Sequence, residues 1–218
     1  GAESRAPLIE VLKDYPVATL ISIGVVLVNI GGYYIVITFT LAYATEQLGV
    51  ARNVTLIGLL LAGLAEIVGI LLFAYLADRV GRRPVALWSA AVVALLAYPY
   101  FLLVDTAVPA LIWLAMGFWT FVAGALYGIT GVLVAHLFEA RVRYSGISLG
   151  YQGAGVVGGA LAPLIATALV SLAGGSSWLV ATYLLAVSLV SLLSVYLASE
   201  KYQVEIYDQS PGETSTVS

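Results

Sequence analysis

Long apolar runs of about twenty residues, separated by short polar intervals, set the pattern of this 218-residue chain. The first runs from about Val17 to Leu41 and continues toward Tyr43, Ala44, Thr45, Glu46 and Gln47. Five more cover Thr55 to Ala77, Val85 to Val104, Val108 to Phe138, Gly146 to Leu172 and Trp178 to Ala198. An α-helix of about twenty residues crosses roughly 30 Å of hydrocarbon, so each run predicts one membrane-spanning helix. Six runs predict an all-α membrane protein with its six-helix domain over residues 17–200. Residues 1–16 are polar, end in Pro16 and read as a lead-in at the membrane surface. The polar stretch 201–218, with Ser210, Pro211 and Gly212, is expected to be a disordered tail.

Composition agrees with the pattern. The chain is 61% hydrophobic and 10% charged, with mean hydropathy +1.03, whereas soluble domains carry about 25% charged residues. Without cysteine and with one histidine, it has neither a disulfide framework nor a thiolate or multi-histidine metal site. No cofactor and no nucleic-acid partner are expected; the partner that composition demands is the lipid bilayer. The opening Gly1-Ala2-Glu3-Ser4 has no initiator methionine and no signal-peptide pattern, which suggests a partial chain.

The placement of charge says more than its sum of −3. Threading six spans puts Arg5, Lys13, Arg79, Arg82, Arg83, Arg141, Arg143 and Lys201 on one side and Arg52 alone on the other. Basic residues are retained on the cytoplasmic side, so both termini are expected inside a cell membrane.

Polar groups within the spans are the candidates for chemistry. Asn29, Tyr33 and Thr40 fall near one face of the first span, with Tyr34 and Thr38 beside them. Such a stripe serves either hydrogen bonding between helices or the wall of a substrate cavity. Glu66 lies midway along the second span, where an ionised acid facing lipid is costly and the bundle interior favours the protonated form. It is either a neutral structural glutamic acid or a reversible proton site. Tyr127 is a further cavity candidate near the end of the fourth span, and Gln152 in the fifth needs a partner or a watery cavity. His136 titrates near neutrality and is either a proton relay or a solvated interfacial side chain. Gly146, Gly150, Ala154, Gly158, Ala162 and Ala166 repeat every four residues, a face on which helix backbones approach closely.

Two strings are decoys. Gly146-Ile147-Ser148-Leu149-Gly150 matches the Gly-x-Ser-x-Gly string of serine hydrolases, but that motif needs a strand-to-helix elbow and a base. Here it opens an apolar helix, and no enzyme is expected. Asn53-Val54-Thr55 matches a glycosylation sequon yet abuts a span.

One loop organises the rest. Leu76-Ala77-Asp78-Arg79-Val80-Gly81-Arg82-Arg83-Pro84 joins the second and third spans. An acid at a helix C-terminus is unfavourable, so Asp78 is expected to be offset by a cation, with Arg79, Arg82 and Arg83 nearest, or by a neighbouring helix N-terminus. On spacing alone this is a basic cytoplasmic loop. It also resembles the Gly-x-Leu-Ala-Asp-Arg-x-Gly-Arg-Arg loop of the major facilitator superfamily of secondary transporters, with Ala74 where the family has its leading glycine. Further strings resemble the metabolite:proton symporter branch: Tyr43 to Gly49, Arg141-Val142-Arg143-Tyr144-Ser145-Gly146, Ser148 to Gln152, and Gly158 to Thr167. Where members often carry Gly-Pro-Gln this chain has Gly128-Ile129-Thr130, and His136 replaces an acid.

The resemblance covers only a carboxy-terminal half. It implies one six-helix bundle built from two three-helix inverted repeats. It also implies a cytoplasmic latch of Asp78, Arg79, Gly81, Arg82, Arg83, Arg141 and Arg143, and Glu66 as the proton-coupling residue. The expected function is proton-coupled transport of a small organic acid or zwitterionic osmolyte. The site would be completed by the missing amino-terminal half or, in a module that does not transport, the chain would pair with another chain or with itself as a homodimer.

Overall fold

A computed structural model describes the backbone of residues 7–209 and, within it, the side chains of Ile9 and residues 11–198. Among the described residues all regular structure is helical. Helix α1 spans Pro7–Asp14, α2 Pro16–Glu46, α3 Arg52–Val80, α4 Arg82–Leu95 and α5 Ala97–Val104. Then follow α6 at Pro109–Ala135, α7 at Arg143–Leu172 and α8 at Trp178–Gln209. Proline opens α2 and α6, where its missing N–H has no intrahelical partner to lose. Five helices are long and apolar enough to cross a membrane, and α4 with α5 makes a sixth, bent span.

That bend falls within the third span expected from sequence, Val85 to Val104. The two halves meet at 45° about Leu96. Pro99 cannot donate to the carbonyl of Leu95, and its ring crowds that oxygen, so the ladder breaks one turn before the proline. A difference lies at the carboxy-terminal end, where α8 continues to Gln209 and residues 201–209 are helical rather than irregular. The rest of the expected tail, 210–218, lies outside the described residues.

Packing reveals an internal two-fold relationship. The α3–α6 pair matches the α2–α7 pair, and α2 against α8 matches α6 against α4 and α5. Exchanging α2 with α6, α3 with α7, and α4–α5 with α8 maps these contacts onto one another, as two inverted three-helix repeats require.

Glycine sits at the crossing in each pair. A Cβ on Gly31 of α2 would lie 3.0 Å from the Gly158 Cα of α7, and one on Gly124 of α6 would lie 3.3 Å from the Gly69 carbonyl carbon of α3. Close approach of this kind gives dispersion contact where lipid supplies no hydrophobic drive between helices. Buried hydroxyls add polar ties. Ser89 donates to the Val122 carbonyl at 2.6 Å and Thr120 to the Ala62 carbonyl at 2.9 Å. Such bonds average about 0.6 kcal/mol each within a membrane.

Burial is uneven. Helices α2 and α6 are mostly enclosed, whereas α3 and α7 keep broad apolar faces outside the bundle, including Leu60, Leu64, Leu71, Leu164 and Leu172.

Candidate functional site

The polar candidates gather where α2, α3, α6 and α7 come together. Glu66 is half-buried at the middle of α3. Together with Tyr127 of α6 and Tyr34 of α2, it lies close enough to Tyr33 of α2 to interact electrostatically. Tyr127 stands in the same relation to Tyr151 of α7. Four helices thus bring one carboxyl and four phenols into one neighbourhood. Tyr34 and Tyr127 remain 43% and 59% exposed, so the cluster is open on one side. Beside it, an open pocket of ≈ 670 Å³ lies between α2 and α7, lined by Ile30, Tyr34, Tyr151, Gln152, Gly155 and Gly159, among others. Gln152 is exposed on its edge.

Wide turns of the helices shape this wall. Helix α2 carries five-residue π turns at Val28–Gly32 and Ile35–Phe39, and α7 has one at Gly155–Ala160. A π turn shifts everything beyond it around the helix, which divides the expected stripe on α2. Asn29 turns to α6, its amide nitrogen donating to Thr130 Oγ1 at 2.8 Å. Thr40 instead turns to α5, where it is buried, 2.8 Å from the Tyr100 hydroxyl. The stripe expected from sequence is therefore two surfaces, with Tyr33 facing the cluster.

Asn29 leaves an unusual remainder. The Thr130 hydroxyl proton is committed to the Leu126 carbonyl at 2.6 Å, so Thr130 Oγ1 can only accept from the amide. Asn29 Oδ1 is buried without a hydrogen-bond partner among the described residues.

The small-residue face of α7 is buried along its length at Gly146, Gly150, Ala154, Gly158, Ala162 and Ala166. A Cβ at Gly146 would meet the Phe138 ring at 2.5 Å, and one at Gly150 would meet Ser22 Oγ at 2.6 Å.

The basic loop is a tight reversal between α3 and α4. Gly81 has φ +98°, a conformation side chains resist, and its N–H closes on the Ala77 carbonyl at 3.0 Å. Arg79 lies over the Tyr75 ring at 4.5 Å, and Arg83 reaches the Tyr196 ring of α8 at 5.8 Å. Asp78 is exposed and forms no ion pair among the described residues, so the expected pairing with its neighbouring arginines is absent. Arg141 is exposed in the α6–α7 loop, and Arg143 Nε donates to the Phe138 carbonyl at 3.4 Å. His136 caps the end of α6, half-buried and remote from the middle of the bundle.

At the opposite end the structure contains a clasp that the sequence did not mark. Asp105 accepts from the Tyr43 hydroxyl at 2.8 Å and from Ser177 at 2.6 Å, joining the ends of α2 and α5 to the loop before α8. Its only sequence trace is an acid in a two-residue turn.

The described fold and cluster define a multi-pass helical membrane protein whose polar groups converge on one open face. The Major Facilitator Superfamily profile matches residues 21–215, and the chain belongs to that family. It is 36% identical over 205 residues to the shikimate transporter of Escherichia coli K12, covering 92% of this chain and 46% of that protein. It is 25% identical over 205 residues to the glycine betaine/proline/ectoine/pipecolic acid transporter OusA of Dickeya dadantii, covering 93% and 40%. The citrate-proton symporter of Salmonella typhi is 26% identical over 172 residues, covering 76% and 39%. No solved structure matches the chain significantly. The chain spans about half the length of these curated relatives.

Proposed function

We propose that this chain forms one six-helix half of a proton-coupled secondary transporter for a small polar metabolite, an organic acid or a zwitterionic osmolyte, with Glu66 the proton-carrying group. The observation that carries this reading is the position of Glu66. It is a carboxyl at the middle of α3, beside the phenol of Tyr33 and on the open face. A carboxyl there is costly when charged and facing lipid, and it is useful when it takes a proton from one side and releases it to the other. The name of the Salmonella relative, a citrate-proton symporter, supports coupling to protons, and shikimate is the first cargo to try.

The exposed apolar faces of α3 and α7 are the proposed seat of a second six-helix unit, which closes the open side and completes the substrate site. The loop from Asp78 to Arg83, with Arg141 and Arg143, is the proposed cytoplasmic latch. Asp78 forms no ion pair among the described residues, which leaves it available to a partner in one state of the cycle.

Glu66→Gln keeps shape and hydrogen bonding but cannot titrate. In the full-length carrier reconstituted in vesicles, it is expected to abolish accumulation driven by a pH gradient while sparing substrate exchange. Undiminished accumulation would remove Glu66 from the coupling step, and joint loss of folding and exchange would make it a structural residue.

A further inference from the structure

The pocket between α2 and α7 has a chemistry that limits what it can hold. Every described Lys, Arg and His lies at a helix end or in a loop, at Lys13, Arg52, Arg79, Arg82, Arg83, His136, Arg141 and Arg143. No Lys, Arg or His lines the pocket with Tyr34, Tyr151 and Gln152, so a carboxylate entering it would meet no cation among the described residues. A permanent ammonium would meet no counter-charge here either, only the faces of the Tyr34 and Tyr151 rings. On the carrier reading above, Glu66 is protonated while substrate is aboard and offers no counter-charge.

What the pocket does offer is neutral. Gln152, exposed at its edge, supplies two donors and an acceptor, and the phenols of Tyr34 and Tyr151 supply one donor each. None of these three side-chain groups has a hydrogen-bond partner among the described residues, although each stands in an otherwise apolar span. Open to the pocket and unbonded to the described protein, these groups are free to bond water or a ligand. The remaining surface is small and apolar: Gly155 and Gly159 belong to the π turn of α7, and Ile30 covers the α2 side. At ≈ 670 Å³ the space suits a small molecule.

We infer that this pocket receives the uncharged, hydroxyl-bearing part of the substrate, held by Tyr34, Tyr151 and Gln152, and that the substrate's charged group is neutralised outside this half. The inference rests on the carrier reading and narrows its substrate class from small polar metabolites to polyhydroxylated acids.

The test uses the full-length carrier in proteoliposomes and three probes. Shikimate carries a carboxylate and three ring hydroxyls, cyclohex-1-ene-1-carboxylate is the same ring acid without them, and glycine betaine has a quaternary ammonium and no hydroxyl. Shikimate is expected to bind at least tenfold more tightly than the deoxy acid. Gln152→Ala and the milder Tyr34→Phe and Tyr151→Phe should each lower that ratio by roughly five- to tenfold, the worth of one hydrogen bond. The phenylalanine variants keep the ring, so a ratio that falls without loss of thermal stability separates recognition from folding. Three results would overturn the inference: a ratio unchanged in all variants, equal binding of the deoxy acid by the wild type, or preferential binding of glycine betaine. If none of the probes binds but another solute is taken up with protons, the inference fails and the carrier reading stands. If the protein moves no solute under a pH gradient, both fail.

Discussion

At the scale of single residues, Ser191 shows how a small side chain sets the course of a helix. Its Oγ donates to the Gly24 carbonyl at 2.7 Å and accepts from the Val28 N–H at 2.9 Å. In an unbroken α-helix those two backbone groups bond each other. A hydroxyl of α8 thus bridges one step of the α2 ladder, and the π turn at Val28–Gly32 begins there, as inserted side chains bring about. Ser191→Ala frees the pair to bond directly, so the variant should lose less than about 1 kcal/mol of stability while the turn relaxes toward α geometry. Thermal unfolding in detergent, with amide exchange across 28–32, measures both; a loss of several kcal/mol would show that no direct bond re-forms. Glu66 was legible in the sequence because it is an acid isolated in a long apolar run. The Asn29–Thr130 contact was not legible, since it depends on a hydroxyl proton committed elsewhere on another helix.

At the scale of elements, the two related crossings differ. Gly69 and Gly124 meet between regular α-helices, whereas Gly31 and Gly158 meet where π turns of α2 and α7 face each other. The pocket lies beside this second crossing, so the wide turns set the spacing of its polar groups. A side chain at Gly158 would start 2.9 Å from the Gly31 Cα and N, with backbone that cannot swing aside. Gly158→Leu should therefore cost about 1–3 kcal/mol by overpacking. Gly155 lies in the same π turn with nothing within 4 Å of an added Cβ, and Gly155→Ala should be neutral or slightly stabilising. Melting temperatures of the two variants in one detergent make the comparison, and equal values would remove the close-contact argument. The sequence carried a signal of the π turn in α7 that went unread. Steps of four residues overshoot a 3.6-residue helix by about 40° each, so five steps would wind the small stripe about 200° around α7. Its continuous burial requires a wider turn on the way. The bend at Leu96 was legible in principle from Pro99, but a run of apolar residues conceals a break that only the missing N–H reveals.

At the scale of the whole molecule, the arrangement of charge against the two-fold-related bundle is the basis of the proposed orientation. The loops after α3 and α6 emerge on the same side as the start of α2, and among the described residues they carry Arg79, Arg82, Arg83, Arg141 and Arg143, with Lys13 close by. The loops after α2, α5 and α7 have Arg52 as their nearest described basic residue. Hydropathy alone gave the number of spans, because each run is long enough to cross a bilayer. It could not show which faces stay uncovered, since large apolar residues recur on α3 and α7 without a clear amphipathic period. The proposed topology places the basic side in the cytoplasm, and cysteine labelling checks it cleanly because the chain has no cysteine of its own. Ala51 and Glu139 are exposed in loops at opposite ends of the bundle. In intact cells producing the full-length protein with any other cysteines removed, Ala51→Cys should react with an impermeant maleimide. Glu139→Cys should react only after the membrane is opened. The reverse pattern would turn the protein over and place the Asp78-to-Arg83 loop outside, where it could not serve as a cytoplasmic latch. Labelling of both sites from outside would mean that an even number of segments crosses between them, which is incompatible with the three spans α3, α4–α5 and α6.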